Sequence, residues 1–585
     1  DCTKAGLDYA IVNTERLERY ASIPEEERRL AEDLIYWRGA DPVGAFAAHF
    51  RGRPKAAKPV TRLSLDERLA RYIVEGSKDG LIEDLGLKLK EAAPLDIING
   101  PLMKGMEEVG RLFNDNQLIV AEVLQSAEAM KAAVGYLEGF MEKDESASRG
   151  TVVLATVKGD VHDIGKNLVE IILKNNGYRI VNLGIKVPPE DLIAAYHTHK
   201  PDAFGLSGLL VKSAQQMVVT AQDLRAAGIE IPLFVGGAAL TRKFTATRIA
   251  PEYAGVTLYA KDAMDGLDLA NRLFGATTRE ALIERLRAEQ EALRAGPDAA
   301  AAPAAAPSRP VSARSAVSRA VPVPTPPDLK LHVLRNVPLS HVYPYLNLQM
   351  LLGKHLGVKG SVARLLEQGD PKVREVHEAV EELEREAAER GLIRADGLYR
   401  FYEARSSGND LILYADGREA ARFRFPRQPG GERLCLADYV RDVDSAEPDY
   451  VALFAVTCGA GVRRLAEQWK EEGQYLRSHM LQALAIECAE AFAEMLHARL
   501  RTQWGFPDPS GTSLQDKLKA HYRGLRVSFG YPACPNLADQ RLLFDLLQPG
   551  EIGLALTEGF MMDPEASVSA LVFHHPEAKY FGVRS

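Results

Sequence analysis

Between Val152 and Tyr259, five short apolar runs alternate with helical patterns, and this alternation limits the possible folds more than any other feature of the chain. The runs are Val152–Thr156, Arg179–Leu183, Ala203–Leu206, Leu233–Val235 and Thr257–Tyr259. Between them, Asn167–Asn175, Glu190–His199, Ala214–Ala227 and Arg242–Ala250 carry apolar residues at helical spacing. Strands that alternate with helices in this way build a doubly wound parallel sheet. An open sheet of that kind binds ligands outside the carboxyl ends of its strands, where the strand order reverses.

Three glycine-punctuated segments fall at that edge. Gly159-Asp160-Val161-His162-Asp163-Ile164-Gly165 follows the first strand, Ser207-Gly208-Leu209 the third, and Gly236-Gly237 the fourth. Taken singly, each has an ordinary explanation: a solvated loop histidine, turn glycines, a serine capping a helix. Their convergence on one edge favours a ligand site. An imidazole at His162 can ligate a metal, and Asp160, two residues earlier, can hold the other ring nitrogen in the required tautomer. Ser213 could complete a His162-Asp160-Ser213 relay. Five strands predict an α/β flavodoxin-like (Rossmann-like) order.

At 585 residues the chain exceeds a single core, and three or four domains are expected. A charged fraction of 26% and a net charge of −8 give no basis for a nucleic-acid partner. Cys2, Cys435, Cys458, Cys488 and Cys534 form no CxxC pair, which favours a reducing compartment. No apolar run reaches the roughly 18 residues of a membrane span and no signal-peptide order opens the chain, so no membrane partner and a cytoplasmic location are expected. The chain starts at Asp1 without methionine, as an excised fragment would, and Asp1–Asn13 reads as the end of a larger α/β domain.

Composition divides the rest. Residues 1–64 read as the tail of an upstream domain and a linker, helical from residue 14 and ending in the basic stretch Arg51–Pro59. Residues 65–147 show apolar stripes at Leu65 onward, Leu81–Ala92, Leu95–Phe113 and Val120–Phe140, which predict a four-helix bundle. A polar break, Lys143–Gly150, precedes the α/β domain, assigned to residues 148–275. Residues 276–328 combine a charged helix, Arg279–Arg294, with the Ala/Pro-rich stretch Gly296–Pro327, a tether reaching roughly 90 Å if polyproline-like. Residues 329–585 mix helices (Val373–Arg390, Arg477–Arg501) with strands (Asp410–Tyr414, Tyr450–Val456, Ser567–Val572), an α+β domain.

The three segments resemble the DxHxxG, SxL and GG signature of base-off, His-on cobalamin-binding domains. The resemblance implies that His162 is the lower ligand of cobalt and that Gly159, Asp160, Val161, Asp163, Gly165, Ser207, Leu209, Val211, Gly236, Gly237 and Ala263 border the cofactor and its nucleotide tail. The preceding bundle, with Pro101–Phe113 and Ala129–Leu137, looks like the cap of cobalamin-dependent methionine synthases. In that family, apolar cap residues matching Phe113, Val120 and Val123 cover the upper face of the cofactor, and Asn99 borders it from the cap. By spacing alone Val123 could equally be helix core, while Phe113, beside the polar Asn114–Gln117 loop, is better placed to project.

The last domain narrows the resemblance. Tyr522-Arg-Gly-Leu-Arg526-Val-Ser-Phe-Gly530-Tyr531-Pro532-Ala533-Cys534-Pro535 resembles the RxxxGY motif of the reactivation domain of the same enzymes. This implies that Arg526 grips the carboxylate of S-adenosylmethionine, a bidentate task suited to arginine. It also implies that backbone near Gly530, Tyr531, Pro532 and Ala533 reads adenine, that Glu490 meets the amino group, and that Tyr580 and Phe581 lie near the sulfonium. Some positions depart from the pattern: His341 stands where an aspartate is usual, Val211-Lys212 replaces Thr-Pro, Asn99 replaces a glutamate, and Phe581 lacks a tyrosine hydroxyl. The resemblance covers about residues 65–275 and 329–585. It implies a methyltransferase fragment of methionine biosynthesis that uses methylcobalamin and S-adenosylmethionine, with a flavodoxin-type electron donor. The homocysteine and folate modules, and their zinc, would lie outside this chain, and a monomer is expected. A non-catalytic cobalamin carrier or sensor is the alternative.

Overall fold

The computed structural model describes residues 25–36, 38, 42–50, 63–140, 148–295 and 314–583. Its contacts divide into a unit of residues 1–64 and a unit of residues 65–585. The first unit holds the helices Glu25–Ile35 and Pro42–Phe50. The segments expected to be a domain tail, Asp1–Asn13, and a basic linker, Arg51–Pro59, lie outside the described residues, as does most of the polar break after residue 142.

The second unit opens with a helical bundle. Helices Leu65–Glu75, Leu81–Lys88, Met103–Asn114 and Val120–Glu138 bury Leu69, Ile73, Leu81, Leu85, Met106, Met130 and Leu137 in one core. The stripe expected to run unbroken through Leu95–Phe113 is instead split into Pro94–Ile97, a π-helical turn at Ile98–Leu102, and the helix from Met103. Pro101 sits inside that turn and has no N–H for the regular ladder, so the backbone widens locally.

The α/β domain follows the expected order. Strands β1 (Thr151–Thr156), β2 (Arg179–Asn182), β3 (Ala203–Ser207), β4 (Leu233–Gly236) and β5 (Thr257–Ala260) pair in parallel as β2-β1-β3-β4-β5. Both faces are covered by helices, which is why the strands read as continuous apolar runs rather than alternating ones. The chain leaves β1 toward β2 on one side, while β3 lies on the other, so the loops after β1 and β3 flank the switch point.

The last domain is α+β. Strands β6 (His332–Val337), β7 (Ala395–Ser407), β8 (Asp410–Ala415), β9 (Arg418–Arg424), β10 (Asp449–Thr457), β11 (Leu525–Val527) and β14 (Ser567–Phe573) form a seven-stranded sheet ordered β11-β14-β10-β7-β8-β9, with β6 pairing β7. A two-stranded hairpin, β12 (Ala555–Leu556) and β13 (Met562–Asp563), stands apart from it. One face packs on the 29-residue helix Tyr475–Gln503 through Phe401, Phe454, Phe492 and Leu496. The other buries Tyr402, Leu453, Leu571 and Phe573 with Leu543 and Leu547.

The helix Pro371–Arg390 covers part of the first core and carries a half-buried titrating group. Burial, with Glu381 adding repulsion, pushes the Glu384 carboxyl up to about 7. The folded state therefore holds a proton that the unfolded chain gives up near its ordinary value of 4.5, and stability falls as pH rises through that window. Glu384→Gln is expected to raise the unfolding midpoint at pH 8 and leave it unchanged at pH 4, read by thermal melts at both values.

The expected tether is shorter than composition implied. The charged helix, Arg279–Ala295, lies on the α/β domain: Gln290 donates to the Thr257 carbonyl at 2.8 Å and Arg242 pairs with Glu289 at 3.0 Å. From residue 314 the chain is strapped onto the last domain. Ser315 donates to Asp438 at 2.7 Å, His575 Nε2 lies 2.8 Å from the Ser318 carbonyl, and the Trp504 indole donates to the Pro324 carbonyl at 2.9 Å. A proline-rich segment offers few donors of its own, so its free carbonyls are what the domain holds.

The three domains of this unit meet directly. Thr557 donates to the Gly159 carbonyl at 2.8 Å, Lys186 pairs with Asp563 at 2.5 Å, and Lys158 with Glu558 at 3.2 Å. Lys470 reaches Glu170 at 2.9 Å, with both side chains under a tenth exposed. The bundle touches the last domain as well: Leu476 N–H donates to Glu128 at 3.0 Å and Lys372 pairs with Glu122 at 2.7 Å. The last domain, not the bundle, is therefore the one docked on the His162 loop.

Candidate cofactor and ligand site

After β1 the chain turns at Gly159, whose φ is 78°, and closes with Asp160 N–H donating to the Val157 carbonyl at 3.0 Å. This turn buries Asp160 completely. One carboxylate oxygen accepts from the His162 backbone at 3.0 Å and lies 2.6 Å from His162 Nδ1. The other accepts from Leu209 N–H at 2.8 Å and Ser213 Oγ at 2.5 Å. Asp160 thus ties the loops after β1 and β3 together, and the His162-Asp160-Ser213 chain is present in space. With Nδ1 donating to Asp160, Nε2 carries the lone pair a metal requires.

Charge reinforces this geometry. Burial alone lowers His162, but its hydrogen bond to Asp160 and the nearby Glu565 carboxyl raise it above the usual imidazole range. Burial likewise opposes ionisation of Asp160, yet His162 and Ser213 hold it below the usual carboxylate range. Glu565, supplied by the last domain, is pushed up to about 7 by burial, with Asp163 and Asp160 adding to the effect.

The glycines allow two backbones to touch. A Cβ on Gly237 would sit 1.8 Å from the Gly208 carbonyl oxygen, and one on Gly208 would sit 2.6 Å from Ser213 Cβ and 3.2 Å from Asp160. Gly237 also holds φ at 142°. Gly237→Ala is expected to cost at least about 3 kcal/mol, because backbone must move to relieve the clash. Thermal melts and cobalamin titration of this variant should both show the loss. Gly165 differs: a Cβ there meets nothing within 4 Å, so it borders open space.

That space is a cavity of about 830 Å³. His162, Gly165, Ser207, Leu209 and Gly237 line it from the α/β domain, and Glu490, Glu494, Arg526, Tyr531 and Tyr580 from the last domain. Arg526 lies on β11 with its guanidinium 3.6 Å from Glu490 and 3.5 Å from Glu494, both longer than a hydrogen bond. Tyr580 donates to the Arg526 carbonyl at 2.5 Å. Gly530, at φ 90°, turns the following segment back so that its N–H meets the Cys534 carbonyl at 2.9 Å.

Several residues singled out by the sequence lie elsewhere. Val123 is 1% exposed and packs with Val109, Ile172 and Met264; Phe113 and Ala263 join the same cluster. Val120 packs toward Leu124, Ile171 and Tyr475, and Asn99 faces solvent. Phe113, Val120 and Val123 are covered by helices of the α/β domain and by the last domain, Asn99 is turned to solvent, and none of the four lines the His162 cavity. Val161 is buried, Asp163 nearly so, Gly236 supports the Gly208 turn through its carbonyl, and Val211 is exposed. Ala533 is core, Pro532 is exposed, and His341 is exposed on a short helix outside the cavity lining. Phe581 packs beside Tyr439, 6.5 Å between rings, so it does not pair with Tyr580 over the cavity. Sequence reasoning passed over Glu494, one helical turn beyond Glu490, although an i, i+4 carboxylate pair was its signal. Glu565 and the Thr557–Gly559 turn carried no local signal.

The donor set fits a metal that takes one imidazole, walled by small residues that leave room for a large group beside it. Comparison with known proteins identifies the class: models described as B12 binding domains match residues 65–138 and 150–268, so the fold and site are those of a cobalamin-binding protein. The last domain narrows the comparison. Residues 338–585 match the activation domain of vitamin B12 dependent methionine synthase. It is 37% identical to methionine synthase of Mycobacterium tuberculosis and 37% to that of Mycobacterium leprae, with the whole chain aligned against 52% of each. The chain thus spans about half the length of the curated relatives it matches. Among solved structures, the MetH reactivation domain bound to AdoHcy is 28% identical over 45% of this chain and 84% of its own, with a TM-score of 0.43. Among the described residues, no helix is long and apolar enough to cross a membrane.

Proposed function

We propose that the chain holds methylcobalamin through His162 and restores the inactivated cofactor by reductive methylation with S-adenosylmethionine, in the service of methionine synthesis from methyltetrahydrofolate and homocysteine. When bound, cobalamin supplies a cobalt that carries a methyl group and, once reduced, accepts a new one from a sulfonium. The protein's part is positional. Asp160 fixes the His162 tautomer and draws on Ser213 as a proton partner. Arg526 takes the donor's carboxylate, Glu490 its ammonium, and Tyr580 closes one wall. Methyl transfer needs in-line approach at close range, so both groups must be held in one enclosed space. The observation that carries the reading is that His162 and Arg526 line the same cavity.

This also favours the reactivating enzyme over a carrier or sensor, which has no use for a buried arginine facing the cofactor edge. The electron donor is a flavodoxin-type protein, the homocysteine and folate modules complete the cycle, and the enzyme works as a cytoplasmic monomer. The bundle and the last domain exchange places over the cofactor. The test is incubation of the cobalamin-loaded chain with a chemical reductant and methyl-labelled S-adenosylmethionine. Label should appear in the cobalamin fraction with wild type and fall at least about a hundredfold with Arg526→Ala, as loss of a bidentate charged contact implies. Absence of label from wild type would refute the proposal.

A further inference from the structure

Two arginines flank Glu494 in the last domain, of which only Arg526 lines the cavity, and they are held very differently. Arg501 is fully buried and locked to Asp508 by two parallel bonds of 2.7 Å each, with its guanidinium 4.0 Å from the Tyr522 ring centre. Arg526 is 15% exposed, has Glu490 and Glu494 only at 3.6 and 3.5 Å, and its Nε has no protein partner. A guanidinium in a buried setting normally fills its fork. Arg526 keeps donor capacity for a ligand.

The helix Tyr475–Gln503 supplies the groups around it. Glu490, Glu494, His497 and Arg501 recur at spacings of four, three and four, which places them along one face. Glu494 and His497 are 4% and 0% exposed. Glu494 lies between the two guanidiniums, 3.5 Å from Arg526 and 3.9 Å from Arg501. His497 stacks edge-on against Tyr522 at 5.0 Å. Glu494 Oε1, Arg501 Nη1 and both His497 ring nitrogens have no protein partner. Buried polar atoms gathered in this way are satisfied through ordered water.

Resting on the S-adenosylmethionine reading above, we infer that Glu494 is a positioning residue that aims the Arg526 guanidinium at the donor's carboxylate. Glu490, which is 48% exposed, remains free for the ammonium. The division of labour explains why two carboxylates flank one arginine that is meant to receive a third: the inner one orients, the outer one binds. Locking Arg501 onto Asp508 keeps it from competing for Glu494.

The test is calorimetric titration of the full chain with S-adenosylmethionine and with its decarboxylated analogue, which lacks the group Arg526 would grip. Wild type should prefer the carboxylated ligand, and Arg526→Ala should lose that preference. Glu494→Gln is expected to weaken S-adenosylmethionine about tenfold, the equivalent of one charge-assisted contact, while the analogue binds within about twofold of wild type. Glu494→Asp, which keeps the charge but withdraws it from Arg526, should shift the same ratio by a smaller factor, and serves if Glu494→Gln melts early. Equal weakening of both ligands by these variants, or none, would overturn the positioning role while leaving the site intact. Failure of wild type to distinguish the two ligands, or a preference kept by Arg526→Ala, would overturn the site itself.

Discussion

His162→Gly protein loaded with methylcobalamin is expected to show a base-off absorption spectrum where wild type shows the His-on form, and to hold the cofactor more weakly by at least tenfold. The imidazole is a quarter exposed, its Nδ1 is committed to Asp160 at 2.6 Å, and its other nitrogen borders the cavity. Glycine leaves the loop's backbone intact, since the hydrogen bond from residue 162 N–H to Asp160 does not need a side chain. Asp160→Asn should weaken ligation more than Ser213→Ala, because Asp160 also accepts from Leu209 and so fixes the loop. A wild-type spectrum from His162→Gly would remove His162 as the lower ligand.

Lys470→Met is expected to release the last domain from the His162 loop. Lys470 and Glu170 are joined at 2.9 Å across the domain boundary with side-chain exposures of 8% and 4%. Burial works against the Glu170 carboxylate, yet Lys174 and Lys470 bring it down to about 2, so it stays charged at neutral pH. Removing one member of a buried pair costs about 3–5 kcal/mol when the other is stranded. Lys174 and Asn182 still reach Glu170, which reduces that to roughly 2–3 kcal/mol. A cost of that size moves the docked population by about 30- to 150-fold. Labelled-methyl incorporation should fall in step with the loss of close distances in energy-transfer measurements, while the last domain's own melting holds. Unchanged distances would show that the other contacts suffice for docking.

The cofactor edge was legible because its constraints are local. A turn with φ near 78° at Gly159, and a carbonyl 1.8 Å from any Cβ on Gly237, can be met by glycine and little else, so the residues announce the geometry. The parallel strands were equally clear as short apolar runs between helical patterns, the edge strand β2 with its Arg179 and Asn182 being the least so. The sheet of the last domain was read only in part. Strand β7 runs 13 residues but carries Arg400, Glu403 and Arg405, which break its apolar pattern. Domain docking left no trace in sequence, since Thr557 and Gly159 are almost 400 positions apart and each looks like an ordinary loop residue. Phe581 misled for a related reason: Tyr580 lines the cavity while Phe581 packs beside Tyr439, a parting of neighbours that their adjacency in sequence does not show.

In the proposed exchange of domains, the strap from residue 314 onward would govern how often the last domain finds the His162 loop. Residues 314–328 are fastened to the last domain, so of the 32 residues of Gly296–Pro327 only the 18 of 296–313 separate the charged helix from the strap. Effective concentration falls roughly as the −3/2 power of linker length, so adding the strap's residues to that separation would lower it about 2.4-fold. The carbonyls that Trp504 and His575 hold therefore act on kinetics from a distance: loosening them would dilute the reactivating domain without touching a single residue of its cavity.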